Sequence, residues 1–167
     1  PKGAGFRLLA ELLESKVEWR PLSIYDLDPA ELGLFDVVVC GSLLLHLRDP
    51  LRALEAVRRV CDGVLLSSEQ IELWPTIVGR GRPWYTLNGS GRDCQWFTFN
   101  AAGHRQLLHA AGFSVERASR PYTVRFNHHP VPPPTLRNRL DAVGRRAVTG
   151  SDAPGVLHRA LLARPRV

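Results

Sequence analysis

Leu34-Phe35-Asp36-Val37-Val38-Val39-Cys40-Gly41-Ser42-Leu43-Leu44-Leu45-His46-Leu47-Arg48-Asp49-Pro50 carries the clearest architectural signal in the chain. A strand covered on both faces reads as a continuous β-branched run rather than an alternating one, and residues 36–40 form such a run. Gly41 and Ser42 end it with a small-residue turn. Asp49 and Pro50 then supply the cap and the first-turn proline of a helix. Strand, small turn and capped helix in succession build an open α/β sheet, which binds its ligands at the carboxyl ends of the strands.

Working outward, Phe6, Leu8, Leu9, Leu12 and Leu13 repeat at helical spacing and predict an amphipathic helix ending near Ser15. Residues 17–22 predict a strand, and Asp28-Pro29-Ala30-Glu31 a short capped helix stopped at Gly33. Leu51, Leu54, Val57 and Val60 mark one face of the helix opened by Asp49, and residues 63–68 predict the next strand. The pattern then breaks over residues 69–98 into a long Gly-, Pro- and Trp-rich connection. Trp74, Trp84, Tyr85 and Trp96 cost too much to leave in water, so it is expected to be a lid or substrate-facing insertion over the crevice, or else a packed satellite cluster.

Asn100 caps a further helix with Leu107, Leu108 and Ala111 on its apolar face and a stop at Gly112, followed by a strand over residues 113–118. Residues 127–155 form a second insertion, Pro-rich and then basic and helical, in which Leu136, Leu140 and Val143 mark the helix. Residues 156–163 are the last strand. The alternation of strand and helix predicts βα units and a parallel sheet.

The length of 167 residues suits one domain, and 44% hydrophobic content suffices for a core. No run approaches the about 18 apolar residues of a membrane span and no leader pattern is visible, so a soluble cytoplasmic protein with no membrane partner is expected. Cys40, Cys61 and Cys94 have no C-x-x-C spacing and are odd in number, which argues for thiols rather than a disulfide framework. A net charge of +6 and a pI near 9.9 would ordinarily favour an acidic partner. Here Lys2 and Lys16 are the only lysines and the arginines are dispersed; even the densest groups, Arg145-Arg146 and Arg164-Pro165-Arg166, read better as solvated faces. The adjacent His128 and His129 point apart in a strand without a third ligand, so no metal is expected, and Gly79-Arg80-Gly81-Arg82 is a single short instance read as a loop.

Phe35-Asp36-Val37-Val38, Gly41-Ser42, Leu45-His46-Leu47 and Asp49-Pro50 together resemble the fourth-strand region of class I S-adenosylmethionine-dependent methyltransferases. Residues 17–27 upstream, and Trp96 to Asn100 with Ala110-Ala111-Gly112-Phe113 downstream, agree with that reading in order. The downstream pair is similar to the branch that includes tRNA wobble-uridine methyltransferases and carboxymethyltransferases. The resemblance implies a Rossmann-like α/β sheet with a C-terminal antiparallel hairpin. The family's glycine-rich turn and its ribose-binding acid should lie before Pro1, Gly3-Ala4-Gly5 has no strand ahead of it, and Met is absent. A single partial domain, truncated at its N-terminus, is therefore expected, with exposed sheet edges that invite homo-oligomers.

The same resemblance implies S-adenosylmethionine as cofactor. Ser23 and Ile24 would meet the adenine ring, although many members carry Asp at the Ser23 position. Tyr25 would flank the adenine or simply pack, and Cys40, Gly41 and Ser42 would line the methionine end, where small residues allow close approach. His46 and Glu69 are candidates for a general base, or else shape the crevice. Trp74, Trp84, Tyr85 and Trp96 are candidates for acceptor contact. The expected activity is methyl transfer to a small-molecule or tRNA acceptor; the alternative is a noncatalytic methyltransferase-like module that binds RNA or a protein through its basic surface.

Overall fold

The computed structural model describes residues 3–88, 94–125 and 135–166. The chain opens with helix α1 (Ala4–Leu12). Residues 13–23 follow as irregular chain where a strand over 17–22 was expected; Val17, Trp19 and Leu22 are exposed and no ladder holds them. A strand needs a neighbour to satisfy its N–H and C=O groups, and this segment has none among the described residues. Helix α2 (Pro29–Leu32) starts as the sequence predicts, with Asp28 Oδ1 accepting from the Ala30 N–H at 2.8 Å, and stops at Gly33, whose φ of 75° favours glycine.

Strand β1 (Phe35–Gly41) runs into a single helical turn over residues 44–46, and helix α3 (Pro50–Val60) follows, with Asp49 Oδ1 accepting from the Arg52 N–H at 3.0 Å. Ala53, Leu54, Val57 and Val60 bury against the sheet, whereas Leu51, expected on that face, stays exposed. Strand β2 (Cys61–Gln70) begins directly where α3 ends and pairs with β1 in parallel, from Val37 opposite Val64 to Gly41 opposite Ser68.

The described residues of the 69–98 segment are more structured than a long connection. They hold helix α4 (Leu73–Val78) and strand β3 (Tyr85–Leu87), which pairs with strand β4 (Phe97–Phe99) in a small antiparallel ribbon. Asn100 is more than a cap. Its Oδ1 accepts from Gly103 N at 2.7 Å and Trp84 N at 3.0 Å, while its Nδ2 donates to the carbonyls of Pro75 and Arg82, each at 2.9 Å. One buried amide thus fastens residues 75–84 of the insertion to the start of helix α5 (Ala101–Ala110).

Strands β5 (Phe113–Ala118) and β6 (Tyr122–Val124), helix α6 (Leu136–Thr149) and strand β7 (Val156–Pro165) complete the chain. His128, His129 and the proline-rich connector lie outside the described residues. The sheet order is β1-β2-β7-β5, with β6 also on β7. β1 and β2 pair in parallel, while β7 is antiparallel to all its neighbours and forms with β5 the expected C-terminal antiparallel pair, so the sheet is mixed.

Leu44, Leu54, Leu65, Leu108, Phe113 and Leu161 anchor a single core between one sheet face and the helices α3 and α5. Each such side chain contributes about 2 kcal/mol of burial. The opposite face near β1 is open: Val37 and Val39 are 56% and 71% exposed. No helix among the described residues is long and apolar enough to cross a membrane.

Candidate functional site at the carboxyl end of β1

The turn that ends β1 is fastened by a buried carboxyl group. Glu69, fully buried near the end of β2, accepts through Oε1 from Leu43 N at 3.2 Å, Leu44 N at 3.3 Å and the Cys40 thiol at 3.8 Å. Burial pushes the Glu69 carboxyl up to about 7, against the pull of the two backbone N–H groups and the thiol. The Cys40 thiol is itself pushed up to about 12, chiefly by burial and then by Glu69, so it stays protonated and unreactive. Glu69 therefore positions the turn and is shut off from solvent.

Ser42 has a φ of 49°, a left-handed conformation that costs a non-glycine residue about 1–2 kcal/mol. Its N–H donates to the Ser68 carbonyl at 2.8 Å, which ties it to the end of β2. The second predicted segment is a single turn: Ser23 Oγ accepts from Tyr25 N at 3.3 Å and caps residues 24–26. The Tyr25 hydroxyl accepts from Asp49 N at 3.2 Å and the Arg52 guanidinium lies 5.3 Å from the ring, so Tyr25 is held at the start of α3. Ile24 packs on the core beside Cys40, and both line a groove of ≈ 760 Å³ beside β1, together with Leu22, Val38 and Leu43. Of the 23–25 and 40–42 segments, Ile24 and Cys40 line this groove; Ser23, Tyr25, Gly41 and Ser42 are not part of its lining.

His46 is exposed, and its Nδ1 donates to the Cys94 carbonyl at 2.8 Å. Beside it, Trp96 N donates to the Leu45 carbonyl at 2.7 Å, and the Arg48 guanidinium lies 4.4 Å from the Trp96 ring. These contacts dock the returning limb of the insertion over the turn. The other aromatics go elsewhere. Trp74 donates to Asp141 on α6 at 2.6 Å, and Tyr85 donates to the Gly103 carbonyl at 2.7 Å beside Trp84 at the start of α5.

Two histidines that the sequence reading passed over are better placed. His104 is fully buried, with Nε2 at 2.8 Å from Ser67 Oγ and its ring 5.5 Å from Phe99; burial, aided by Arg159, pushes it down to about 3 and keeps it neutral. His158 on β7 sits with Nε2 3.0 Å from Ser42 Oγ, and Tyr122 stacks on it at 6.1 Å while meeting Ser68 Oγ at 2.6 Å. A lone histidine inside a predicted apolar strand was the available signal.

Residues 6–65 match the family described as methyltransferase domain. No curated protein matches the chain. Among solved structures, the 1,6-didemethyltoxoflavin-N1-methyltransferase of Burkholderia thailandensis, with 1,6-didemethyltoxoflavin and S-adenosylhomocysteine bound, aligns at 17% identity and a TM-score of 0.57, covering 98% of this chain and 57% of that one. The magnesium protoporphyrin IX methyltransferase of Synechocystis, with S-adenosylhomocysteine bound, aligns at 16% and 0.56, covering 99% and 58%. The [4+2]-cyclase SpnF aligns at 18% and 0.57, covering 96% and 61%. The fold is that of the Rossmann-like methyltransferases. The chain spans 57–61% of the length of these three structures. Because a cyclase shares the methyltransferase fold, the fold alone does not fix the chemistry.

Proposed function

We propose that this chain holds S-adenosylmethionine at the carboxyl end of β1 and is part of an enzyme that moves the methyl group onto a small-molecule acceptor. The observation that carries the reading is that Ile24, from the turn capped by Ser23, and Cys40, next to Gly41 and Ser42 at the end of β1, line one groove. Its ≈ 760 Å³ lies within the about 300–1,000 Å³ usual for small-molecule sites. Ile24, Leu22 and Val38 offer the apolar wall a purine needs. At Gly41 the nearest atom to an added Cβ is the Ser68 carbonyl oxygen at 3.7 Å, so its backbone stays open to a ligand.

When bound, the sulfonium cofactor supplies an already activated methyl group, and the protein's part is to orient and to exclude water. Glu69 holds the 42–44 turn in place through two N–H groups, and residues 94–96, docked on Leu45, His46 and Arg48, cover the turn from outside. The names of two neighbours, a toxoflavin methyltransferase and a protoporphyrin methyltransferase, favour a small planar acceptor. The dispersion of the arginines places tRNA second. A second copy of the chain would pair along the open edge of β1.

Calorimetric titration with S-adenosylhomocysteine tests the reading. One-to-one binding, abolished by Ile24→Asp, is the expected result. No binding by the wild-type chain overturns it and favours the noncatalytic module.

A further inference from the structure

We propose that Ser42, Ser68, Tyr122 and His158 form a subsite for the methyl acceptor, in which His158 Nε2 takes the acceptor's proton through the Ser42 hydroxyl. The inference rests on the reading of the groove above and adds the acceptor's side of it. The four residues come from the ends of β1 and β2, from β6 and from β7, and Ser42 and His158 are 116 residues apart in sequence. They meet at the carboxyl end of β1 and β2, where Ser42 also belongs to the proposed cofactor turn.

The hydrogen bonds give the cluster a direction. His158 Nδ1 lies 3.1 Å from the Val156 carbonyl oxygen, which can only accept, so in the neutral ring Nδ1 carries the proton. Nε2 then presents a lone pair, and the Ser42 hydroxyl 3.0 Å away donates to it. The remaining lone pairs of Ser42 Oγ are free to accept from an incoming O–H or N–H. Ser42 is exposed while His158 is 5% exposed, which places the serine at the surface of the site and the imidazole behind it. Catalytic contact is made by Ser42, and His158 acts through it.

Local strain supports a built site. Ser42 holds a left-handed conformation that glycine would adopt more cheaply. Gly155, with φ of 144°, lies where a Cβ would run into the Val124 carbonyl; that close approach lets β6 lay Tyr122 against His158. The Tyr122 and Ser68 hydroxyls, 2.6 Å apart, share one hydrogen and keep lone pairs and one O–H for a second polar group on the ligand. The class that fits is a small protic molecule, a phenol, enol or amine, with a second polar substituent.

The step balances. The acceptor's O–H or N–H proton passes to Ser42 Oγ as the Ser42 proton passes to Nε2, and the pair released on the acceptor forms the new bond to carbon. The carbon–sulfur pair of a sulfonium donor stays on sulfur, so the imidazolium replaces the positive charge lost there. The imidazolium then returns its proton to solvent.

The test is a long-range ¹H–¹⁵N correlation spectrum of the histidine rings of the wild-type protein at pH 8, without ligand and with saturating S-adenosylhomocysteine, with His158 assigned by triple-resonance spectra. Expected are an unprotonated Nε2, a protonated Nδ1, and His158 ring signals that move on saturation. An Nε2–H tautomer overturns the proposal, because that nitrogen could not take a proton. Unmoved His158 signals, with binding established by calorimetry, overturn it too while leaving the cofactor reading intact. Absence of calorimetric binding removes the cofactor reading and this subsite with it.

Discussion

Replacing Glu69 by Gln should change how stability depends on pH in a way set by two buried groups. Glu69 rises from an ordinary 4.5 to about 7 because it is buried. A raised carboxyl is protonated in the fold when the unfolded chain has already ionised, so its contribution is fully present below pH 4.5 and is lost as pH climbs toward 7. At 1.36 kcal/mol per pKa unit the loss is about 3 kcal/mol. His104 does the opposite: buried and held neutral down to about 3, it contributes stability above pH 6.5 that is lost as pH falls.

Between pH 4.5 and 6.5 the two slopes oppose each other, and the wild-type protein should show a plateau. Glu69→Gln keeps an acceptor for the Leu43 and Leu44 N–H groups and removes the titration. The variant should therefore gain about 1.4 kcal/mol per pH unit across the plateau, and its advantage over wild type should level off above pH 7 at about 3 kcal/mol. Urea unfolding followed by tryptophan fluorescence at pH 4.5, 5.5, 6.5 and 7.5 measures the difference. A constant offset for burying the amide does not matter; a difference that stays flat with pH would refute the burial argument.

Three further substitutions probe the framework around the groove. Gly63→Ala should cost about 3 kcal/mol, because a Cβ there would run into the Asp36 backbone at the irregularity in the β1–β2 register; denaturation within about 0.5 kcal/mol of wild type would contradict the contact. Ser42→Gly should be more stable than Ser42→Ala by about 1 kcal/mol, since both lose the hydroxyl and only glycine relieves the left-handed φ; equal stabilities in urea would show that the turn is unstrained. Asn100→Ala removes four hydrogen bonds at once and should cost about 3 kcal/mol or more while exposing residues 75–84 to proteolysis; an unchanged digestion pattern would mean that the insertion is held by other contacts.

The elements most legible in the sequence were those whose determinants lie within a turn of one another. Asp28, Asp49 and Asn100 cap their helices through bonds spanning two or three residues, and the apolar run of residues 37–40 is a strand as read. Where the sequence reading missed, the deciding partner was distant or lacking. Residues 17–22 have the composition of a strand but no neighbour to pair with among the described residues. Strand β6, only Tyr122–Val124, exists because β7 offers it an edge. Asn100 looked like a cap, and its other three bonds reach 16 to 25 residues back along the chain.

The order of residues carries the local grammar of the chain: a buried strand, a small-residue turn, a capped helix, and the family those motifs resemble. Side-chain entropy, capping and hydrophobic periodicity act over a few residues and leave their mark on any stretch that carries them. Tertiary structure alone decided which groups meet and in what environment. It turned β7 antiparallel to β2, sealed Glu69 under the turn it holds, and carried His158 across 116 residues to Ser42. Burial and long-range pairing set the protonation state and direction of those groups, and neither is a property of the residues taken in order.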